Sequence, residues 1–392
     1  MNTTTPYRVT SIDVLRGLVM VIMALDHTRD FFHRTAMTAD PLDPSTTSTM
    51  LYFTRWITHF CAPTFVFLSG VSAFLAAQRR TRQDAAYFLI KRGLWLVLVE
   101  VTLITLGLTF NPSFNFIILQ VIWAIGWSMV ILGLLSWWSR KAVLIAGILL
   151  FFGHNVVDYM KLPAEGPAAV MWQILLTTRG AVVPLDATHL LGIFYAILPW
   201  TGIMLLGYSI GSWFIRDFPA AKRKQRLVMA GVTLVALFVL LRWINLYGNP
   251  VPRKIYPDLW SNMLSFFDTS KYPPSLQYAA MTLGPALLAL AAFENLQQKW
   301  SGVLTVYGRV PFFYYVLHFY LLHALLVIVF FATGHSAAQI AQVPFWFRPA
   351  EFGYALPLVY LIWIGVVAAL YRPCRWFDRY RAAHRQWWLS YL

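Results

Sequence analysis

Apolar runs close to twenty residues long recur along this chain, separated by short basic segments or by longer stretches carrying Pro, Trp and Tyr. Wound as helices, runs of that length match the hydrocarbon thickness of a bilayer, and they lack the period-two alternation of barrel strands. The pattern predicts about ten spans, near residues 12–32, 51–78, 93–110, 116–138, 142–159, 189–215, 227–247, 276–293, 310–333 and 353–371. The expected fold is therefore an all-α integral membrane protein, one bundle of transmembrane helices with residues 1–392 as a single domain.

The first span departs from a plain apolar run. Residues 11–32 read SIDVLRGLVMVIMALDHTRDFF and carry Asp13, Arg16, Asp26, His27, Arg29 and Asp30. An ionisable group at membrane depth costs roughly 2.5–3.5 kcal/mol on insertion scales unless a partner or a wet cavity offsets it. At about 100° per residue, the step from Arg16 to His27 closes to within about 20° of three turns, so both face one way about 16 Å apart. A polar track follows, with an anion at the Arg end and proton chemistry at the His end. The plainer alternative is a snorkelling Arg and a helix-end His.

Composition agrees with the membrane reading: 59% of residues are hydrophobic, 17% aromatic and 12% charged. The net charge of +15 falls in short clusters between apolar runs, the distribution of an orientation signal rather than of a nucleic-acid surface. With both termini cytoplasmic, roughly 20 bases lie inside and roughly 9 outside, so that orientation is expected. The start, MNTTTPYRVT, lacks the features of a cleaved leader, and the first span is expected to stay as an anchor. Cys61 and Cys374 imply no disulfide framework. A reactive thiol at Cys61 competes with a plain small apolar residue.

Candidate chemistry gathers in a few motifs. RWITHFCAPTFVFLSG places Arg55, His59 and Cys61 near one end of the second span, with Pro63 as a kink, and His59 is either a packing histidine or part of a site with His27. In AAYFLIKRGLWL, Lys91 and Arg92 either mark the interface or hold phosphates, for which guanidinium geometry is suited. GHNVVD contributes His154, Asn155 and Asp158, LRWINLYGNP contributes Arg242, and KYPPSL contributes Lys271 and Tyr272. In the ninth span His318 and His323 lie about 140° apart, which rules out joint metal chelation from adjacent turns. There is no HExxH, CxxC, Walker or GxSxG motif, so no metal is expected and hydrolase chemistry lacks support.

Arg16 followed by ten residues and His27, with FLSG in the second span and FLIKR before the third, resembles the signature of the acyltransferase 3 family of membrane acyltransferases. The ordered set SIDVLRG, LDHTRDFF, THFCAPTFVFLSG, KYPPSL and GRVPFFYYVLH is closer still to bacterial relatives of the heparan-α-glucosaminide N-acetyltransferase catalytic domain, and it covers nearly the whole chain. The resemblance implies an enzyme of a bacterial inner membrane. It would take acetyl-CoA or another acyl-CoA from the cytoplasm and pass the acyl group to a saccharide or glycan acceptor on the periplasmic face. By the acyltransferase 3 pattern His27 is the catalytic histidine, and Arg16 and Arg92 belong to the acyl-CoA side. The chain departs from the lysosomal enzyme where that enzyme's proposed luminal histidine aligns near Thr49. In the same alignment its Asn and Asp fall at His27 and His59, so amino-sugar specificity and an acyl-histidine intermediate do not carry over.

The expected scheme has Arg16, Arg92 and Lys91 holding CoA phosphates and His27 acting as general base, with a reference pKa of about 6.5. Asp30, one turn along, would orient the ring, and Asp26 would contact a neighbouring helix. His59 joins the catalytic candidates, and Asp158, Arg242, Lys271, Tyr272 and His318 are candidates for acceptor contacts or proton relay. The rival class is a proton-coupled secondary transporter of a small polar solute. The sequence is compatible with a homo-oligomer.

Overall fold

The computed structural model describes residues 9–294, 296, 298–341, 344–349, 352–384 and 386–390. Arg8 and Arg385, two of the bases assigned to the inner side, and the start of the chain lie outside the described residues. The chain runs through α1 (Thr10–Phe32), α2 (Thr49–Thr58), α3 (Cys61–Ala77) and α4 (Arg82–Val99), then a π-helical turn (Glu100–Ile104) and α5 (Thr105–Thr109). Next come β1 (Phe116–Leu119), α6 (Val121–Trp138), α7 (Arg140–Gly153), α8 (Gly166–Trp172), β2 (Ala181–Pro184), β3 (Leu190–Ile193) and α9 (Ile197–Ile210). The remainder is α10 (Ala220–Ile244), α11 (Leu259–Phe267), α12 (Leu276–Phe293), α13 (Gln298–Arg309), α14 (Pro311–Ala332) and α15 (Leu356–Ala383).

Helix ends follow local chemistry. Ser48, Thr81, Ser139, Asp258 and Ser275 each accept a backbone N–H at the start of the helix that follows, satisfying a donor the helix cannot. Proline at the first turn opens α14 and α15, where its missing N–H costs nothing.

Among the described residues seven helices are long and apolar enough to cross a membrane: Thr49–Ala77, Val121–Trp138, Arg140–Tyr159, Ala220–Ile244, Leu276–Phe293, Pro311–Ala332 and Leu356–Ala383. The chain is thus a mostly helical membrane protein. The hydropathy pattern predicts three more spans, and the reasons for the difference are local. α1 carries too many charged residues to qualify, residues 93–110 are divided among the end of α4, the π-helical turn and the short α5, and α9 is only 14 residues long.

Two predicted spans also begin in the wrong secondary structure. Residues 116–119 and 190–193 are β1 and β3, which pair in parallel with Phe116 opposite Leu190 and Leu119 opposite Ile193. β2 completes the sheet antiparallel to β3. Short apolar runs rich in Ile and Leu cannot be told from helix by periodicity alone. The second span breaks at His59–Phe60, just before Pro63 enters the first turn of α3.

α1 is the axis of the bundle. It packs against α2, α3, α12, α13, α14 and α15, and it is buried along most of its length. α13, absent from the predicted spans, lies hard against it: a Cβ added at Gly17 would stand 1.8 Å from the Leu304 carbonyl oxygen, and one at Gly308 1.8 Å from that of Asp13. Glycine at those two positions lets the backbones meet. At this end of the bundle Ser11 donates to Glu294 at 2.7 Å, and Glu294 also pairs with Arg223. Arg16, Arg309 and Asp378 gather at the same end. It is called the basic end below.

Candidate active site

Toward the opposite end of α1, four charges form a string. Nη1 of Arg55 donates to both carboxylate oxygens of Asp26, at 2.8 and 2.6 Å. Nη2 of Arg29 donates to Asp26 at 3.0 Å and to Asp30 at 2.6 Å. These pairings answer the insertion cost of α1, since the buried Asp26 carboxylate meets two guanidiniums and the half-buried Asp30 meets one. They also correct one expectation: Asp30 is taken up by Arg29 rather than orienting His27. Asp26 reaches a neighbouring helix, as its position on α1 suggests.

The partner of His27 comes from α14. His27 Nδ1 lies 2.6 Å from His318 Nε2, and the fully buried His318 sets its own Nδ1 3.3 Å from the Tyr314 carbonyl. A carbonyl only accepts, so the His318 proton belongs on Nδ1 and its Nε2 is the acceptor. His27 must then donate from Nδ1, which leaves the lone pair on its Nε2. Phe319 stacks on the His27 ring at 4.5 Å and restricts its rotation.

Three cavities in series meet this site. A vestibule of about 1060 Å³, mouth included, opens at the basic end and is lined by Arg16, Arg92, Arg309 and Arg381. Behind it lies an apolar throat of about 860 Å³, openings included, walled by Met20, Met23, Ile125 and Phe312. Beyond the throat is a polar chamber of about 1710 Å³, mouth included, that reaches Arg55, His59, Tyr272 and Arg348. Phe65, Ser69, Arg92, Met129 and Pro311 line both vestibule and throat. Asp26, His27, Gln120, Tyr195 and Lys271 line both throat and chamber. His59 is 1% exposed at the break between α2 and α3, and its Nδ1 has no hydrogen-bond partner.

The other candidates fall elsewhere. Lys91, one residue and about 100° from Arg92, is exposed beside the Tyr87 ring and lines none of these cavities, which corrects its assignment to the phosphates. Arg242 is 2% exposed and donates to the carbonyls of Ser265, Phe266 and Asp268 and to the Gln277 amide oxygen. It clamps the end of α11 and lines none of the three cavities. Asp158 accepts from Asn155 at 2.7 Å and lines a separate small cavity with Tyr247 and Asn249. His154 and Asn155 hold the loop before α12: a His154 ring nitrogen lies 2.9 Å from the Pro274 carbonyl, and Asn155 accepts from Leu276 N–H at 2.9 Å. His323 bridges the Gly107 and Trp346 carbonyls and does not join His318.

Sequence reasoning missed Gln120 and Tyr195, which sit at strand-to-helix junctions that hydropathy reads as mid-span. It also treated Arg309 and Arg381 as interface bases. The available signal for the Arg55–Asp26 pair was depth, since both lie toward the same end of adjacent apolar runs. Among the described residues no group of three or more His, Cys, Asp or Glu side chains could hold a metal ion.

Comparison with known proteins gives one result that bears on this geometry. The family model described as heparan-alpha-glucosaminide N-acetyltransferase, catalytic, matches residues 8–244, well over half of the chain. That stretch includes Arg16, His27, Arg55, His59, Arg92, Gln120 and Tyr195. No curated protein matches the chain.

Proposed function

The chain belongs to the heparan-alpha-glucosaminide N-acetyltransferase catalytic family, a membrane acetyltransferase family, and from that premise we propose how it transfers an acyl group. The donor is cytoplasmic acetyl-CoA or another short acyl-CoA. The acceptor is a hydroxyl or amine of a saccharide on the periplasmic face of a bacterial inner membrane. Both chain termini then lie on the donor side.

In this reading the vestibule takes the nucleotide, and Arg16 and Arg92, with Arg309 and Arg381, meet its phosphates through charge-assisted hydrogen bonds. The pantetheine arm lies in the apolar throat, which excludes water from the thioester. His27 removes the acceptor proton through Nε2 as the acceptor attacks the thioester carbonyl, then returns a proton to the departing thiolate. His318 fixes the tautomer and plane of that ring, as a positioning residue. His59 and Tyr272 face the acceptor from the chamber wall. The Asp26–Arg55–Arg29 string holds the outer end of α1 in place and keeps the carboxylate engaged.

The observation that carries this reading is that Arg92 and His27 line one and the same cavity. Purified protein incubated with acetyl-CoA and a panel of amino and neutral sugars tests it. Free CoA should appear only when an accepted sugar is present. Solute accumulation in vesicles with no thioester consumed would contradict it and favour transport.

A further inference from the structure

Five residues form the wall common to throat and chamber: Asp26, His27, Gln120, Tyr195 and Lys271. If transfer proceeds as proposed above, on which this inference rests, the thioester carbonyl and the acceptor meet at that wall. The attack places negative charge on the carbonyl oxygen, and preorganised donors and charges aimed at the place where that charge develops supply a large part of the catalysis in an acyl-transfer site. Asp26 is negative and engaged by two guanidiniums. Gln120 and Tyr195 are neutral donors. Lys271 is the one cation of the five.

Two further observations set Lys271 apart. Among the described residues its ammonium forms no ion pair, in contrast to Arg29 and Arg55; it stands 5.3 Å from the centre of the Tyr272 ring and 6.0 Å from that of Tyr195. Its three N–H donors are not committed to a carboxylate. The segment that carries it is also pinned from several sides. Ser270 N–H donates to the Asn249 side chain at 2.9 Å, and Ser270 Oγ donates to the Tyr272 and Pro273 carbonyls at 3.2 Å. Ser275 N–H returns to the Ser270 carbonyl at 3.0 Å, and the His154 ring holds the Pro274 carbonyl at 2.9 Å. A charge fixed in advance needs little reorganisation when the transition state forms.

We propose that Lys271 stabilises the oxyanion of the tetrahedral intermediate. As the acceptor oxygen or nitrogen bonds to the carbonyl carbon, its proton passes to His27 Nε2 and the carbonyl π electrons move onto oxygen beside the Lys271 ammonium. Collapse re-forms the carbonyl and breaks the carbon–sulfur bond. The electron pair leaves on sulfur, which takes the proton from His27, and Lys271 takes no part in the proton transfer. The products are acylated acceptor and CoA thiol.

The test uses the full chain in lipid nanodiscs with acetyl-CoA and an accepted sugar, comparing wild type with Lys271→Met and Lys271→Arg. In Lys271→Met, kcat should fall on the order of 10²–10³-fold, while KM for the sugar and calorimetric binding of CoA change less than about threefold. Lys271→Arg should recover at least tenfold over Lys271→Met, a rescue that a packing role would not produce. CoA binding reports whether each variant is folded, and should Lys271→Met fail to bind CoA, the kcat of Lys271→Arg against wild type decides. A kcat in Lys271→Met within threefold of wild type overturns the proposal, as does a loss expressed only in KM for the sugar. If wild type itself consumes no acetyl-CoA, the reading under Proposed function falls and this role falls with it. Turnover in wild type with undiminished kcat in the variant removes this role alone.

Discussion

Arg55 and Arg242 are both largely buried guanidiniums toward the same end of the bundle, and they are engaged in opposite ways. Arg55 pairs with a carboxylate on α1 and faces a chamber of about 1710 Å³. Arg242 turns inward, gives its N–H groups to backbone carbonyls around α11 and to Gln277, and lines none of the cavities described. Charge at membrane depth is costly in both places. In the first it borders a space a substrate can enter; in the second it closes a helix end and leaves nothing to react. The contrast teaches that a buried charge suggests chemistry only where a cavity reaches it.

The widest separation between the two regions should come from His27→Ala. Transfer should fall at least ~10³-fold, the general-base contribution together with its coupled partner, while CoA binding measured by calorimetry stays near wild type. Near-normal turnover would remove His27 from the reaction. Arg242→Met should do the reverse. Removing the guanidinium leaves several buried carbonyls unsatisfied, a loss of about 3 kcal/mol in thermal unfolding, with kcat per folded molecule within about threefold of wild type. Loss of kcat at unchanged stability would place Arg242 in the site after all.

How much of this could be read from sequence depends on how local the deciding physics is. The helix Leu276–Phe293 coincides with its predicted span because a serine cap, a long apolar run and the preceding prolines all act within a few residues. The Arg16-to-His27 spacing, too, is a property of one helix. By contrast, residues 116–119 are a strand only because they pair with residues more than seventy positions away, and no window of local hydropathy contains that partner. α13 was overlooked because its sequence is amphipathic rather than apolar, and what seats it is the match of Gly17 and Gly308 across two backbones. The His27–His318 contact joins residues 291 positions apart. Depth alone could nominate His318, but not say which nitrogen meets which.

A finer version of the same contrast lies within α4. Arg92→Met should raise KM for acetyl-CoA about tenfold, the equivalent of about 1.4 kcal/mol, because the guanidinium borders both vestibule and throat. Lys91→Met should change KM less than twofold, since the ammonium lies on the outward face beside Tyr87. Equal effects from the two would mean that paired cations act here only through general attraction for CoA.

The most direct measurement separates donor and acceptor across a bilayer. In sealed proteoliposomes sorted by orientation, labelled acetyl-CoA is supplied only on the side of Arg16 and Arg92, and an accepted sugar only on the side of Arg55 and Lys271. Labelled acetyl-sugar is expected on the acceptor side, with free CoA left on the other. Product that forms only when both substrates share one compartment would contradict a path through the bundle past His27.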